Sequence, residues 1–254
     1  MASTPPLQFV VLAAGIGSRL GRPGPKCLTP LANGQTILER QLSQAREVFN
    51  DNLRTCVVVG FKLELVLEAF PDVLYIYNER YDRTNTSKSL LKGLRLSGEG
   101  GVLWVNGDVV IDTEVLHSAN DMIAAHQSFI CVRRGSVGAE EVKYTVGADD
   151  LVLSLSKSVD APVGEAIGVN YVAPADKLIL IRHLEACGDD DYFEAAVERA
   201  IVSNELRFRA LDVTAMWAVE IDFDEDLRRV DAELMRRARP RGSHPNLDQT
   251  NTRP

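Results

Sequence analysis

The sequence predicts an α/β fold of three layers, Rossmann-like, in which a doubly wound mixed β-sheet lies between two layers of helices. In the first half of the chain, short apolar runs alternate with amphipathic helical segments, an order typical of parallel strands joined by crossover helices. In the second half, Lys143 to Val146 and Leu151 to Ser156 flank the turn Gly147 to Asp150. This pattern indicates an antiparallel hairpin, so the sheet is expected to be mixed.

The first strand is predicted at Gln8 to Ala13, because an unbroken apolar run is typical of a strand buried on both faces. A helix is expected from Ile37, since Thr36 and Glu39 have the spacing of a capping box. The same criteria predict strands at 55–59, 73–77, 102–105 and 128–133, and helices at 63–70, 87–96 and 113–126.

After the hairpin, apolar runs predict strands at 166–172, 206–212 and 216–221, and helical spacing predicts helices at 175–186, 192–203 and 224–238. The elements fit one domain over residues 1–238, which is consistent with a chain of 254 residues. Residues 239–254 are polar and rich in Pro and Asn, and we expect them to form a disordered tail.

The composition limits which partners and which cellular location are expected for the protein. Lys plus Arg is 28 and Asp plus Glu is 36, a net charge of −8, so nucleic acid and anionic membranes are unfavourable partners. The longest apolar run, Phe9 to Ala14, is far shorter than the ~20 residues of a membrane helix, and we expect no secretory signal. The four cysteines lack C-x-x-C spacing, so we expect no structural zinc and a cytoplasmic location.

A glycine-rich loop, Gly15 to Gly24, follows the first strand. Backbone N–H groups in such a turn can bind a phosphate. The loop lacks a dinucleotide fingerprint, because Leu20 occupies the position of the third glycine, and it contains no P-loop string. Two cations, Arg19 and Lys26, accompany it and suit a triphosphate whose leaving group gathers charge. A purely structural turn is the alternative.

Two carboxylate motifs follow later strands. Asp108 ends the string Asn106-Gly107-Asp108, at the edge where a doubly wound sheet binds ligands, and its carboxylate is suited to Mg²⁺. Glu220 and Asp222 alternate along a predicted strand and therefore share one face, where they could complete a metal site. The alternatives are an ordinary Asn-Gly turn and a solvated charge run at a helix start.

The glycine-rich loop also carries a family resemblance. It resembles the signature of the nucleoside-triphosphate transferases in the string Leu12-Ala13-Ala14-Gly15-x-Gly17-x-Arg19-Leu20 followed by Pro25-Lys26. The resemblance extends to about residue 238 and implies a glycosyltransferase-A-like nucleotidyltransferase fold. It further implies an NTP-binding half at about 8–130, an acceptor-binding half at about 131–238, and Mg²⁺ held by Asp108 and Asp222.

Softer matches point to one branch of that family. Asn78 to Tyr81 and Thr84 to Leu90 resemble the N-x-x-Y…N-x-x-x-S-L pattern of the phosphocholine cytidylyltransferase branch, and Gly164 to Gly168 resembles its G-E-x-I-G stretch. The resemblance implies transfer of CMP from CTP to a small phosphonate or phosphomonoester, with release of pyrophosphate. The implied acceptors are a phosphonate such as phosphonoformate or 2-aminoethylphosphonate, or phosphocholine. The implied nucleotide-binding residues are Leu12, Ala13, Ala14, Gly15, Ile16, Gly17, Ser18, Arg19, Lys26, Asn85, Ser89 and Asn106.

The acceptor is less closely defined. Aromatic residues make up only 6% of the chain, few for the cage that a choline head requires, whereas cations are evident at Lys88, Arg133 and Lys143. If these cations line the pocket, the acceptor is anionic, for example a carboxylated phosphonate. The predicted acceptor-binding residues are Lys88, Arg133, Lys143, Lys157, Glu165 and Glu220, and the predicted catalytic residues are Arg19, Lys26, Asp108, Lys157 and Asp222.

Two other functions fit the same motifs. One is a sugar-1-phosphate uridylyl-, thymidylyl- or guanylyltransferase, and the other is an inactive, nucleotide-sensing homologue. The presence of both aspartates and both phosphate-binding cations favours an active enzyme. The sequence leaves the oligomeric state open, including a homo-oligomer.

Overall fold

A computed structural model of the chain describes residues 5–238, except for the side chains of Ser18 and Asp51. The predicted disordered tail, 239–254, lies outside the described residues. The strands are β1 (Leu7–Ala13), β2 (Leu53–Val59), β3 (Leu74–Tyr77), β4 (Val102–Asn106), β5 (Val109–Ile111), β6 (Phe129–Arg134), β7 (Lys143–Val146), β8 (Val152–Ser156), β9 (Gly164–Val172), β10 (Arg209–Asp212) and β11 (Ala218–Glu220). The helices are α1 (Ile37–Phe49), α2 (Leu63–Ala69), α3 (Thr86–Leu96), α4 (Thr113–Ala124), α5 (Lys177–Glu185), α6 (Phe193–Val202) and α7 (Asp224–Ala238).

The main sheet has the strand order β10-β6-β9-β4-β1-β2-β3, and β7 and β8 extend it beside β9. Strands β1 to β4 pair in parallel, whereas β9 runs antiparallel to both β4 and β6. The sheet is therefore mixed, as the sequence predicts. Because the chain adds β2 and β3 on one side of β1 and β4 on the other, the strand order reverses between β1 and β4. A doubly wound sheet opens a ligand crevice at such a reversal.

Helices cover both faces of the sheet, so the predicted three-layer α/β fold is confirmed. Alternate residues of β1 belong to different cores, because successive side chains of a strand point to opposite faces. Phe9 and Val11 pack with α1, α2 and α4, whereas Val10 and Leu12 pack with α3, α5 and α6. A third, smaller core forms where α7 packs against Leu31 and its neighbours.

The structure contains one strand that was not predicted from the sequence, and the strands predicted at 206–212 and 216–221 are shorter than expected. Strand β5 contains only three residues and follows directly on Asp108, so its apolar run is too short to be recognised. It forms because it pairs antiparallel with β11, with Ile111 opposite Ala218. The strand predicted at 206–212 begins only at Arg209, because pairing with β6 begins there. Leu206 and Phe208 are apolar and buried, but they precede this pairing.

Two buried glutamines of α1 hold the turn between β4 and β5. The Gln41 side-chain amide donates to the carbonyls of Asn106 and Val109, at 2.9 and 2.8 Å. The Gln44 amide donates to the carbonyl of Ile111 at 2.9 Å. An amide side chain in a core is stabilising only when it is hydrogen-bonded. These bonds therefore fix the position of the turn that carries Asp108.

Within residues 5–238, no helix combines the length and the apolar character that crossing a membrane would require. All four cysteines, Cys27, Cys56, Cys131 and Cys187, are free thiols.

The capping box predicted for α1 is present. The Thr36 hydroxyl accepts a hydrogen bond from the backbone N–H of Glu39 at 3.1 Å, and the Glu39 carboxylate accepts one from the backbone N–H of Thr36 at 3.4 Å. Replacing Thr36→Ala leaves an N–H at the helix start without its acceptor and should lower the free energy of unfolding by about 1 kcal/mol. Urea denaturation measures this loss.

The control is Ser43→Ala in the same helix, where the exposed hydroxyl donates only to the carbonyl of Arg40. We expect its free energy of unfolding to stay within about 0.5 kcal/mol of the wild type. Equal losses in the two variants would contradict a specific role for the cap.

Candidate functional site

A cleft of about 440 Å³ opens where the strand order reverses, and a smaller pocket of about 200 Å³ adjoins it. The glycine-rich loop after β1 and the turn after β4 line one part of the cleft, and the segment before α3 lines another. Residues of the second half of the chain, from 140 to 222, line the remainder. The volume is in the range of small-molecule sites, and the position is the one expected for a doubly wound sheet.

The glycine-rich loop has its shape because of Gly17. This residue has φ of +64°, a left-handed conformation that side chains rarely adopt, and a Cβ atom added to it would lie 3.0 Å from Cβ of Lys26. The loop therefore folds back closely on Lys26. The predicted nucleotide-binding residues of the loop that line the cleft are Leu12, Ala13, Gly15, Ile16, Gly17, Arg19 and Lys26. Ala14 is buried behind them, with its carbonyl accepting from the N–H of Phe61, and the Ser18 side chain lies outside the described part of the structure.

The Lys26 ammonium lies between two carboxylates from distant parts of the chain. Its Nζ atom is 2.8 Å from Oδ2 of Asp108 and 2.8 Å from Oδ1 of Asp222. Burial lowers the pKa of Lys26, but the two carboxylates outweigh it, so the net effect is a raised pKa and a protonated ammonium. Arg19 lies further out, with Nη1 3.7 Å from Oδ2 of Asp222 and half of its side chain exposed.

Three carboxylates form a cluster around this ammonium. Asp108, Glu220 and Asp222 each offer an oxygen atom, and these atoms lie within 4.8 Å of one another. The Oδ1 atom of Asp108 is buried and has no hydrogen-bond partner within residues 5–238. The Glu220 side chain lines the cleft, and protein atoms surround it closely. This desolvation and the charges of Asp108 and Asp222 hold its pKa well above the usual range.

Backbone contacts explain why Asp108 and Asp222 meet. The N–H of Gly107 donates to the carbonyl of Leu12 at 2.9 Å, which holds the β4 turn against the end of β1. The N–H of Ile221 donates to the carbonyl of Asp108 at 3.0 Å, which continues the pairing of β5 with β11. The short antiparallel pair therefore brings the late carboxylate to the early one.

The segment before α3 contributes Tyr81 and residues 84–86 to the cleft. Asn85 caps α3, since its Oδ1 atom accepts from the N–H of Thr86 at 2.8 Å, and its Nδ2 atom donates to the carbonyl of Asp190 at 3.2 Å. Ser89, predicted to contact the nucleotide, is buried instead beside Nδ2 of Asn78, 3.1 Å from its Oγ atom. The structure thus brings Asn85 to the cleft, whereas Ser89 anchors the turn behind it.

Lys157, from the second half of the chain, also lines the cleft. Its ammonium lies 4.9 Å from the centre of the Tyr192 ring and 3.5 Å from Oε2 of Glu140. One face of the Tyr192 ring is therefore already covered by a cation.

The structure corrects the predicted placement of two other lysines. The Lys88 ammonium donates to the carbonyls of Leu184 and Cys187 at the end of α5, and the Lys143 ammonium donates to the carbonyls of Ala139 and Lys157. Neither lysine lines the cleft, because the ammonium group of each binds backbone carbonyls that helix and loop geometry leave free.

Arg133 and Glu165 do reach the adjoining pocket, but they face each other. The Arg133 guanidinium lies 3.3 Å from Oε1 of Glu165 and also donates to the carbonyl of Ala218. Burial and the charge of Glu141 raise the pKa of Glu165, and Arg133 opposes the rise. Asn106, predicted to bind the nucleotide, lines the cleft with its Oδ1 atom buried and unpartnered within the described residues.

Three acidic residues of the cleft, Glu140, Glu141 and Glu194, were not predicted from the sequence, and Glu194 is the most deeply buried of them. Glu194, in the first turn of α6, lines the cleft although it is only 8% exposed, and its Oε2 atom has no hydrogen-bond partner within residues 5–238. Burial raises its pKa to about 7, with the charge of Lys157 opposing the rise. The available signal was a glutamate at helical spacing among apolar residues, which is equally typical of an acidic residue that complements the helix dipole.

Solved structures of similar shape support the fold. The chain superposes on the CTP:phosphocholine cytidylyltransferase of Streptococcus pneumoniae with a TM-score of 0.69 and 21% identity, over 90% of this chain and 99% of that one. The inositol-1-phosphate CTP transferase of T. maritima gives a TM-score of 0.73 and 18% identity, over 90% and 94% of the two chains. A UDP-glucose pyrophosphorylase gives 0.68 and 12% identity, over 91% and 98%. At these identities the likeness concerns the fold alone.

Curated proteins match over part of the chain. The bifunctional protein GlmU of Francisella philomiragia is 35% identical over 123 residues, which cover 46% of this chain and 27% of that protein. The chain thus spans about a quarter of the length of these relatives. The family model of the MobA-like NTP transferase domain matches residues 9–166, which is more than half of the chain and includes the glycine-rich loop and Asp108. The chain therefore belongs to the MobA-like NTP transferase domain family.

Proposed function

We propose that the protein is a Mg²⁺-dependent cytidylyltransferase that transfers CMP from CTP to a small phosphonate or phosphomonoester and releases pyrophosphate. The observation that carries this proposal is the meeting of Lys26, Asp108 and Asp222 in the cleft. These residues come from three distant segments, and their residue types are those that phosphate transfer from a nucleoside triphosphate requires.

The proposed reaction needs no protein nucleophile. An oxygen of the acceptor phosphonate or phosphate, already ionised near neutral pH, attacks the α-phosphorus of CTP. The bond from that phosphorus to the bridging oxygen of the β-phosphate breaks, and its electron pair leaves with pyrophosphate. Catalysis then consists of positioning and charge neutralisation.

The glycine-rich loop and three cations of the cleft have roles in this scheme. Backbone groups around Gly15 and Gly17 bind phosphate oxygens. Arg19 and Lys26 neutralise the charge that develops on the leaving pyrophosphate. Lys157 also lines the cleft and orients the phosphonate or phosphate of the acceptor.

The carboxylate cluster fits a magnesium ion. Asp108 and Asp222 offer hard oxygen ligands, and the buried Oδ1 atom of Asp108 lacks a partner within residues 5–238. When bound, Mg²⁺ would supply charge neutralisation at the α-phosphate. Lys26 contacts the same two carboxylates, so its ammonium and the ion would compete for them. The Lys26 ammonium would then be available to phosphate oxygens.

The choice of CTP rests on two supports. Two of the solved structures with this fold are named for transfer from CTP. The segment from Asn78 to Ser89, which resembles that of the phosphocholine branch, contributes Asn85 to the cleft. A sugar-1-phosphate nucleotidyltransferase is the second candidate, since a UDP-glucose pyrophosphorylase is among the solved structures with this fold.

A pyrophosphate-release panel tests the proposal. CTP, UTP, dTTP, ATP and GTP are each supplied with Mg²⁺ and with phosphocholine, 2-aminoethylphosphonate, phosphonoformate or glucose-1-phosphate. We expect release with CTP and one of the first three acceptors. Release only with UTP or dTTP and glucose-1-phosphate would support the second candidate, and an absence of release from every pair would contradict both.

Replacing Lys26→Ala should have opposite effects on catalysis and on metal binding. Loss of a cation at the developing charge should lower kcat about 100-fold or more. Loss of the competing ammonium should tighten Mn²⁺ binding in the absence of nucleotide, measured by calorimetry. The control Lys92→Ala removes an exposed ion pair to Glu79 and should change neither value. Weaker Mn²⁺ binding in Lys26→Ala would contradict the competition.

Replacing Asp108→Asn should abolish the metal response of the protein. The amide lacks the charge that holds a divalent ion, so Mg²⁺ should no longer raise the melting temperature, and pyrophosphate release should fall at least about 100-fold. Asp121→Asn, on the exposed face of α4, is the control and should keep both properties. A normal Mg²⁺ response of Asp108→Asn would remove Asp108 from the metal site.

A further inference from the structure

The proposed mechanism gives no role to a buried carboxylate of the cleft. Glu194 is more than nine-tenths buried and lines the cleft, yet its Oε2 atom has no hydrogen-bond partner within residues 5–238. A buried carboxylate oxygen without a donor is destabilising, and native proteins rarely keep one without a reason. A favourable helix dipole explains an acidic residue in a first turn, but it does not require that residue to be buried.

The backbone around Glu194 is held firmly. The N–H of Phe193 donates to the Thr86 hydroxyl at 3.1 Å, and the Phe193 ring packs edge-on against Trp104, with the ring centres 5.6 Å apart. Asn85 holds the preceding loop through the carbonyls of Asp189 and Asp190. The Glu194 carboxylate is therefore presented to the cleft from a fixed first turn rather than from a mobile loop.

The charges on this side of the cleft favour a positive group. Lys157 is paired with Glu140, and Arg133 is paired with Glu165. Glu141, Glu194 and Glu220 also line the cleft, and within residues 5–238 none of the three forms an ion pair. An anionic head on the acceptor would meet these acidic groups, and the nearest cations of the described residues, Lys26 and Lys157, already contact other carboxylates.

The residues present also distinguish between kinds of cation. A quaternary ammonium has no N–H group and is recognised by a cage of aromatic faces. Among the described residues the cleft offers two aromatic side chains, Tyr81 and Tyr192, and Lys157 covers one face of the Tyr192 ring. A primary ammonium donates hydrogen bonds, which is what the unpartnered oxygen of Glu194 lacks. Charge-assisted hydrogen bonds of this kind are stronger than those of a neutral hydroxyl.

We propose that Glu194 selects the acceptor by binding a primary ammonium group, so that the acceptor is a small zwitterion with a phosphonate or phosphate at its other end. This inference rests on the proposed cytidylyltransferase activity. It replaces the anionic acceptor head that the sequence suggested, because Lys88 and Lys143 bind backbone carbonyls away from the cleft.

The wild-type protein provides the first test. With CTP and Mg²⁺, 2-aminoethylphosphonate should have a KM at least tenfold below those for propylphosphonate, 2-hydroxyethylphosphonate, phosphocholine and phosphonoformate. Propylphosphonate has the same shape without the charge, and 2-hydroxyethylphosphonate keeps a donor without the charge. A lower KM for any of the four would overturn the assignment of Glu194 while leaving the proposed cytidylyltransferase intact. No release with any nucleotide and acceptor would overturn the proposed function, and this inference with it.

The variant Glu194→Gln provides the second test. With 2-aminoethylphosphonate as the acceptor, KM should rise by about one to two orders of magnitude and kcat should stay within a few fold, whereas KM for propylphosphonate should be nearly unchanged. The control is Glu185→Gln, an exposed carboxylate on α5 that pairs with Arg95, and it should behave as the wild type. An equal KM change for both acceptors would show a structural role and overturn the proposal.

Folding and binding are read separately from turnover. Circular dichroism melting checks that Glu194→Gln is folded, and Glu194→Asp, which withdraws the carboxylate by one methylene, serves in its place if it is not. In the presence of CTP, 2-aminoethylphosphonate should raise the melting temperature of the wild type but not of the variant. The same rise in both proteins would overturn the role of Glu194.

Discussion

The arrangement of the cleft depends on the ion pairs of one ammonium group. Lys26 comes from the glycine-rich loop, and it lies 2.8 Å from carboxylates of Asp108 and Asp222 that follow β4 and β11. Without a cation, three carboxylates with oxygens within 4.8 Å of one another would repel. The ammonium therefore keeps the carboxylates together, and it occupies the place in which a divalent cation and the phosphates of a nucleotide would act.

Other contacts of the fold hold Lys26, Asp108 and Asp222 in fixed positions relative to one another. Gln41 fixes the turn before Asp108 from α1, and the N–H of Gly107 joins that turn to the end of β1. The pairing of β5 with β11 then carries the chain of the second half back to the first. Each contact is a backbone or amide hydrogen bond in a dry environment, where a missing partner is unfavourable, so the geometry is held closely.

A second set of contacts links the segment before α3 to the start of α6. Asn85 and Thr86 bind the loop and helix that present Tyr192 and Glu194. In the proposed function, one segment thus contacts the nucleotide and also holds the residues that face the acceptor. This shared support gives a physical reason for the two substrates to be positioned relative to each other with little freedom, which is how an enzyme without a nucleophile accelerates transfer.

The three-layer fold, most helices and strands, and the residues of the ion-pair centre could be predicted from the sequence alone. Apolar runs, helical spacing and the capping box of Thr36 are local properties, and Arg19, Lys26, Asp108 and Asp222 stand in local motifs. Which side chains remain available to a ligand depends on tertiary contacts and could not be predicted. Lys88, Ser89 and Lys143 have side chains that could bind a ligand. In the folded chain each of them instead forms a hydrogen bond with another group of the protein. Glu194 was missed for the converse reason, since burial without a partner results from packing between distant segments and leaves no pattern in a single stretch of sequence.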